Sequence, residues 1–473
     1  MTDQKGPKLT DAKGMGGIIA QDGFDYQVWS VFAMLPNWLR NPCFEGFAVE
    51  MLEDFEARFF SPHSPHKHFI DRFQAKSGVL SKCDLIKIFE SFATFNQVHP
   101  CVARMQTLVT PALPSTLTWL SRDTGRVSRA RPFYCPFPNI IAASENKLRT
   151  DLIEEFGGLG VFFADYIEID LKSFPDRSHA EAAFSKAMYD AFPEHEFGHK
   201  KINLAFTALL NLVGYNRGEI LTRDHLLQVL SDEFGTTLVS DKNLCIHIRS
   251  DSSEPKMDAI EIDAIAYAGG NIPYPRSDLW RSGLLLPLES TANWAREHEY
   301  SSLVLTGKYR ISTAFAIGWS FRSVIGFEIK ISTRYGIWAT DELLLPDAKT
   351  LPWKIIIPKR LVKDRLLVAV GVLRDPTIDI QNAIGISGDD DLFIATFPQA
   401  LLSGIDVQLS VQILKKAIAS TVSQLRPVGI DIYFVGPAAL AVALGHRWNA
   451  FPSTQVYEFF SSANHYVPTV ILG

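Results

Sequence analysis

Cysteine is scarce in this 473-residue chain, and the five that occur (Cys43, Cys83, Cys101, Cys135 and Cys245) stand far apart with no CxxC pair. That spacing argues against a structural zinc site or a disulfide framework and fits a reducing compartment, so a cytoplasmic protein is expected. No apolar run approaches the ~20 residues a membrane helix needs. The start, MTDQKGPKLTDAKGMGG, has no apolar core of a secretory signal. Charge of one sign is also lacking: 46 basic against 52 acidic residues leave a net −6, unsuited to coating nucleic acid non-specifically. GxSxG elbow, Walker A loop and GxGxxG fingerprint are all missing, which removes the common hydrolase, NTPase and dinucleotide signatures.

What is present begins with two neighbouring stretches, AVEMLEDFEARF (48–59) and FIDRFQAKS (69–77). Read as strands, the first puts Val49, Met51, Phe55, Ala57 and Phe59 on one face and Glu50, Asp54, Glu56 and Arg58 on the other. Phe69 and Phe73 then oppose Arg72, Gln74 and Lys76. A hairpin of the two would bury the phenylalanines and gather Asp54, Glu56, Gln74 and Lys76 on one polar surface. Carboxylates beside an amide oxygen and a lysine suit Mg²⁺-assisted phosphodiester hydrolysis. At ~3.4 Å per residue, Glu50 lies roughly 13–14 Å from Asp54 along an unbroken strand, and Glu56 about 7 Å away. Glu56 is therefore the better partner in a shared ion and Glu50 a lesser one. Gln27, on the N-terminal helix, reads as a helix-surface glutamine or as a further residue facing the site. His63, His66 and His68 share a Pro- and Ser-rich loop, with nothing nearby to complete a tetrahedral zinc set. Arg122, Arg126, Arg129 and Arg131 form a basic cluster, read as a solvated loop or a phosphate-contacting surface.

Length predicts two or three domains. Gly23–Leu39 has helical periodicity, Ser81 with Asp84 forms a capping box before another helix, and Gln106–Thr110 reads as a buried strand. This α–β–β–α–β order suits a small α/β domain. Residues 149–234 read as mainly helical, an extension of the first domain, giving a domain over 1–235. A linker follows at 236–256 and a second domain at 257–473. The second domain holds an internal echo: strand, Gly, turn, AxAxG helix, strand, first at 303–331 and again at 432–460. Ala314, Ala316 and Gly318 correspond to Ala441, Ala443 and Gly445. Two similar α/β lobes are expected, with ligands beyond the carboxyl ends of the strands and anions near helix N-termini. That selects Gly307, Lys308, Arg310, Ser312 and Thr313 in one lobe and Gly436 and Pro437 in the other. Tyr457 is a candidate for stacking on a base, or a packed strand aromatic.

Asp54 and the Gln74-Ala75-Lys76 triplet, following a GFDYQ helix, resemble restriction-endonuclease-like PD-(D/E)xK nucleases whose second acidic position is Gln. The tail GPAALAVALGHRW…QVYEFFSSANHYVPTVIL is similar to SAVED domains, sensors of two CARF-like, Rossmann-like lobes. Together they resemble the nuclease–SAVED effectors of bacterial anti-phage CBASS systems. The resemblance implies that a functionally linked nucleotidyltransferase makes a cyclic di- or trinucleotide, adenine-containing. The SAVED half would bind it, the chain would form a homo-oligomer, and Mg²⁺-dependent cleavage of double-stranded DNA would follow. Within it, Asp54 and Gln74 are the metal ligands and Lys76 the catalytic cation, without a membrane partner. Two alternatives stay open: a sensor with a decayed nuclease domain, and a restriction-type DNase without a second messenger.

Overall fold

The structure, a computed structural model, describes residues 12–50, 54–134, 138–239, 243–251, 258–270, 273–341, 351–386, 389–462 and 464–473. It divides into two compact units, Met1–Ser240 and Asp241–Gly473. Among the described residues, no helix is long and apolar enough to cross a membrane.

The first unit runs α1 (Ala12–Arg40), β1 (Phe44–Val49), β2 (Phe55–Phe60), β3 (His68–Ala75), α2 (Lys82–Val98), β4 (Ala103–Thr110), α3 (Trp119–Tyr134), α4 (Pro138–Phe156), α5 (Gly158–Tyr166), β5 (Ile167–Leu171), α6 (Arg177–Ala191), α7 (His199–Tyr215), β6 (Leu221–Thr222) and α8 (Arg223–Phe234). One sheet, ordered β5-β4-β3-β2-β1-β6, is parallel across β3, β4 and β5 and antiparallel from β3 to β6. On one face α1 buries Val28, Val31, Phe32, Leu35 and Leu39 at the spacing its sequence predicts. On the other, α2 opens on the expected capping box: Ser81 Oγ accepts the Asp84 N–H and Asp84 accepts the Ser81 N–H.

Two expectations need correction here. The stretch 149–234 contains a strand, β5, whose five residues IEIDL are too short to break the surrounding helical pattern. The later helices are not an appendage either. Phe184 of α6 and Phe206 of α7 pack on Phe32 of α1, with ring centroids 6.2 and 5.3 Å away, and β6 joins the sheet beside β1.

The second unit runs β7 (Asn243–Arg249), β8 (Ile260–Asp263), α9 (Ser277–Trp280), α10 (Leu286–Glu297), β9 (Ser302–Gly307), α11 (Ile311–Ser320), β10 (Glu328–Thr333), β11 (Gly336–Ala339), β12 (Lys354–Ile356), β13 (Arg365–Val372), α12 (Thr377–Ile384), β14 (Leu392–Phe397), α13 (Gly404–Leu425), β15 (Gly429–Val435), α14 (Ala438–His446), β16 (Ser453–Phe460) and β17 (His465–Leu472). Its two sheets, β11-β10-β9-β7-β8 and β17-β16-β15-β13-β14-β12, repeat one topology. In each, four consecutive strands pair in parallel, β7–β10 and β13–β16, and the next strand in the chain closes one edge antiparallel; the second sheet adds β12, antiparallel to β14, at its other edge. The echo seen in the sequence therefore extends to whole lobes.

The lobes meet through the repeated helices. A Cβ on Gly318 of α11 would stand 2.0 Å from Val442 O, and one on Gly445 of α14 would stand 2.4 Å from Phe315 O. The matching glycines are thus mutual contact points, where backbone touches backbone. The linker expected at 236–256 is also corrected: Leu244, Ile246 and Ile248 of β7 are buried and β7 is a central strand of the first lobe. The SSEPK part of that stretch lies outside the described residues.

Candidate functional site

In the first unit, β2 and β3 pair as expected, Phe55 opposite Phe73 and Phe59 opposite Phe69, with stacked rings 4.6 and 5.5 Å apart. Residues 48–59 are not one strand, however. The chain reverses after Val49, so that Val49 lies opposite Phe55 and the Glu50 N–H donates to Asp54 O at 2.9 Å. Glu50, at φ 59°, is thereby brought across from Asp54 instead of 13–14 Å along a strand. Its carboxylate lies 3.8 Å from Arg217 Nη1. Met51, assigned above to the strand's apolar face, lies outside the described residues.

Asp54, Gln74 and Lys76 come together at this end of the sheet. Asp54 Oδ2 accepts the Ala75 N–H at 2.7 Å and lies 3.7 Å from Lys76 Nζ. Gln74 Oε1 is buried without a hydrogen-bond partner. A buried amide oxygen left unpaired is costly, and a hard cation beside Asp54 would satisfy it. These oxygens therefore fit Mg²⁺, which takes one or two protein oxygens and keeps most of its water.

Glu56, expected to share the ion, pairs with Arg58 through one oxygen, while its Oε2 is buried without a hydrogen-bond partner. Its side chain is 1 % exposed, and Oε1 accepts both Arg58 Nε and Nη2, at 3.1 and 2.7 Å. It belongs to a buried polar layer beneath α2. Arg72, opposite Glu56, donates to Gln106 Oε1 at 2.8 Å and lies 3.5 Å over the Phe95 ring, while Gln106 Nε2 donates to Phe92 O and Asn96 Oδ1. This layer ties α2 to the strands bearing the site, and sequence reading missed it because Gln106 and Asn96 belong to different elements. Gln27 Oε1 of α1 is likewise buried without a partner.

The arginine cluster lies on α3, so the expected loop is a helix. Arg122 is turned onto Asp123, Arg126 is exposed, and the side chains of Arg129 and Arg131 lie outside the described residues. Among the described residues no three histidine, cysteine or acidic side chains gather as a metal-holding group, the 63–68 histidines included.

In the second unit, a cavity of about 480 Å³ opens between the lobes at the carboxyl ends of their parallel strands. Gly307, Lys308, Gly436 and Pro437 all line it. Gly307 needs to be glycine: φ is +99°, and a Cβ would lie 2.2 Å from Ile248 O. The other candidates are elsewhere. Arg310 turns its Nε to Ala268 O. Ser312 and Thr313 are buried, and the Ser312 N–H donates to Glu458 Oε2 at 2.8 Å. Tyr457 stacks on Tyr433 at 4.4 Å and borders a separate pocket with Arg365 and Asp431, so the packed-aromatic reading holds for it.

The cavity's aromatic and cationic wall was missed. It comes from the β10–β11 turn, where Arg334 Nη2 donates to Tyr335 Oη at 2.6 Å and the Tyr335 and Trp338 rings lie parallel, 6.2 Å apart. Its signal, RYGIW, sits just past the repeated segment. Leu373, at φ 65° and 67 % exposed, forms part of the opposite wall. Flat rings beside Lys308 and Arg334, with glycine-lined backbone, suit a ligand carrying both bases and phosphates.

Comparison with known proteins agrees with this architecture. Residues 288–472 match the SAVED family, described as the SMODS-associated and fused to various effectors sensor domain. The match spans most of the second unit and both of its α/β lobes, which are therefore similar to a SAVED sensor domain. Over nearly its whole length the chain is similar to proteins called CD-NTase-associated protein 4. It is 23 % identical to that of Acinetobacter sp. (strain ATCC 27244 / 9458) over 477 residues, 98 % of this chain and 99 % of the relative. It is also 23 % identical to that of Moraxella osloensis over 480 residues, with the same shares. The same fold is seen in the Acinetobacter baumannii Cap4 SAVED/CARF-domain containing receptor solved with the cyclic trinucleotide 3'3'3'-cAAA. The TM-score is 0.73 at 20 % identity, covering 95 % of this chain and 98 % of that one. The Moraxella osloensis Cap4 receptor gives a TM-score of 0.71 at 20 % identity, covering 96 % and 100 %. The expected likeness to SAVED-domain proteins is thus met, and the likeness to CD-NTase-associated protein 4 extends over nearly the whole chain.

Proposed function

We propose that this chain is a ligand-gated antiviral effector: a cyclic oligonucleotide binds between the SAVED lobes and switches on cleavage of double-stranded DNA by the first unit. The observation that carries the reading is the interlobe cavity, where Lys308 and Arg334 stand beside the Tyr335 and Trp338 rings. Cations pair with phosphates and rings stack on bases, so the wall matches both halves of a nucleotide. The relative's complex with 3'3'3'-cAAA makes an adenine cyclic trinucleotide the first candidate.

For the effector step, Asp54 and Gln74 would hold Mg²⁺. When bound, the ion supplies Lewis-acid polarisation of the phosphate and acidifies a water. Lys76, kept near Asp54 by their 3.7 Å ion pair, offsets the negative charge that grows on the phosphate. Glu50, facing Asp54 across the chain reversal, adds negative charge that favours the ion. A site with so few carboxylates holds Mg²⁺ weakly, which suits cleavage that waits for ligand-driven oligomerisation.

The test is a panel of cyclic di- and trinucleotides, each assayed for binding to the full chain and for plasmid cleavage with Mg²⁺. Binding and cleavage by the same nucleotide are expected. Equal cleavage without any nucleotide would point to the restriction-type DNase, and binding without cleavage to a sensor alone.

A further inference from the structure

We propose that Glu458 is a positioning residue of the ligand cavity: a built-in anion from the second lobe that occupies the N-terminus of α11 and holds the first lobe's Lys308–Tyr309 turn in place. The inference rests on reading the interlobe cavity as the ligand site.

α11 begins directly after the cavity-lining residues Gly307–Tyr309. The first N–H groups of a helix lack intrahelical acceptors and carry partial positive charge, so this end attracts an anion. Here the anion is already supplied by the protein. Glu458 on β16 accepts the Ser312 N–H at 2.8 Å, with the Ile311 N–H also directed to it. Thr469 of β17 donates to the Ser312 hydroxyl at 2.8 Å, closing the same contact. Only 8 % of Glu458 is exposed. Burial raises its carboxyl pKa, against the opposing pull of these N–H groups and Arg310.

The lobes' near-symmetry shows that this contact is particular to one of them. Val304, three residues before Gly307, pairs with Lys330; Tyr433, three before Gly436, pairs with Tyr457. Glu458 is thus the counterpart of Ile331, a buried apolar residue that lines the cavity. One carboxylate breaks the symmetry of the pair. It closes the α11 end to a ligand phosphate and sets the position of the turn that carries Lys308.

Hydrogen exchange of the ligand-free full chain and titration with 3'3'3'-cAAA test this. In Glu458→Ala, exchange at residues 308–314 should rise and affinity fall, each about tenfold, as expected for losing hydrogen bonds to a charged group. Glu458→Gln, which keeps an acceptor of the same shape, should restore most of both. Unchanged exchange at 308–314 in Glu458→Ala overturns the proposal, as does a rise spread evenly over the unit. If the parent binds no cyclic nucleotide, the functional reading fails, but the exchange measurement still decides the role of Glu458.

Discussion

The crossing of α11 and α14 sets a severe steric test. A methyl group at Gly318 would stand 2.0 Å from Val442 O and 2.6 Å from His446 N, where ordinary contact begins at 3.4 Å. Both obstacles are backbone atoms, so no side-chain rotation relieves them. The helices must separate by roughly 1 Å, and gaps of that size forfeit a quarter to a half of each van der Waals contact along the seam. Overpacking of this kind costs about 1–3 kcal/mol, and backbone obstruction puts Gly318→Ala near the upper end. For a unit of this size, 2–3 kcal/mol lowers Tm by roughly 5–10 °C. Gly445→Ala, facing Phe315 O at 2.4 Å, should behave similarly. Gly214→Ala on α7 is the control. Nothing lies within 4 Å of its added Cβ, and alanine in a helix stabilises by about 0.5–1 kcal/mol over glycine. Scanning calorimetry should show Tm falling for the first two variants and holding or rising for the third. An unchanged Tm in Gly318→Ala would refute the close crossing and the seam between the lobes built on it.

Lys76→Ala should abolish nucleotide-stimulated DNA degradation while leaving nucleotide binding intact; wild-type cleavage in this variant would remove Lys76 from the site. Trp338→Ala should weaken cyclic trinucleotide binding by about 5- to 150-fold if its ring stacks on a base worth ~1–3 kcal/mol, and an unchanged Kd in calorimetric titration would exclude that contact. His446, buried against Phe321 O at 2.6 Å, has its pKa lowered from 6.5 to about 4 by desolvation. Between those values the unfolded chain takes up a proton that the folded chain refuses, so stability falls as pH drops, by up to ~3 kcal/mol. Urea midpoints of the parent and of His446→Gln between pH 7 and 4.5 should show the parent's slope flattened in the variant; equal slopes would refute it.

The parts legible in the sequence are those whose signal is local or repeated. The Ser81–Asp84 capping box, the α1 periodicity and the hairpin that buries Phe55, Phe59 and Phe73 each lie within a few residues or one hairpin, and the structure reproduces all three. The AxAxG echo was legible for a different reason. Gly318 and Gly445 meet across one seam, so the same steric demand acts on both copies and leaves the same residue. The chain reversal after Val49 was hidden because alternation continues through it: Glu50 and Asp54 fall on one face of an imagined strand as readily as on facing sides of a turn. β7 was hidden by the polar residues that follow it, although Leu244, Ile246 and Ile248 alternate as a strand should.

The site at the helix N-termini shows most clearly where local reading stops. Position within the repeat correctly placed Gly307, Lys308, Gly436 and Pro437 on the cavity wall. The same rule also assigned Ser312 and Thr313 to the ligand, since a helix start after a strand favours an anion. It did not anticipate that the anion would come from β16, some 146 residues further along the chain. A helix end has one positive pole, and whichever carboxylate or phosphate reaches it first excludes the other. The repeat therefore marks where an anion belongs in each lobe, and only the packing of one lobe on the other decides whether the protein or its ligand provides it.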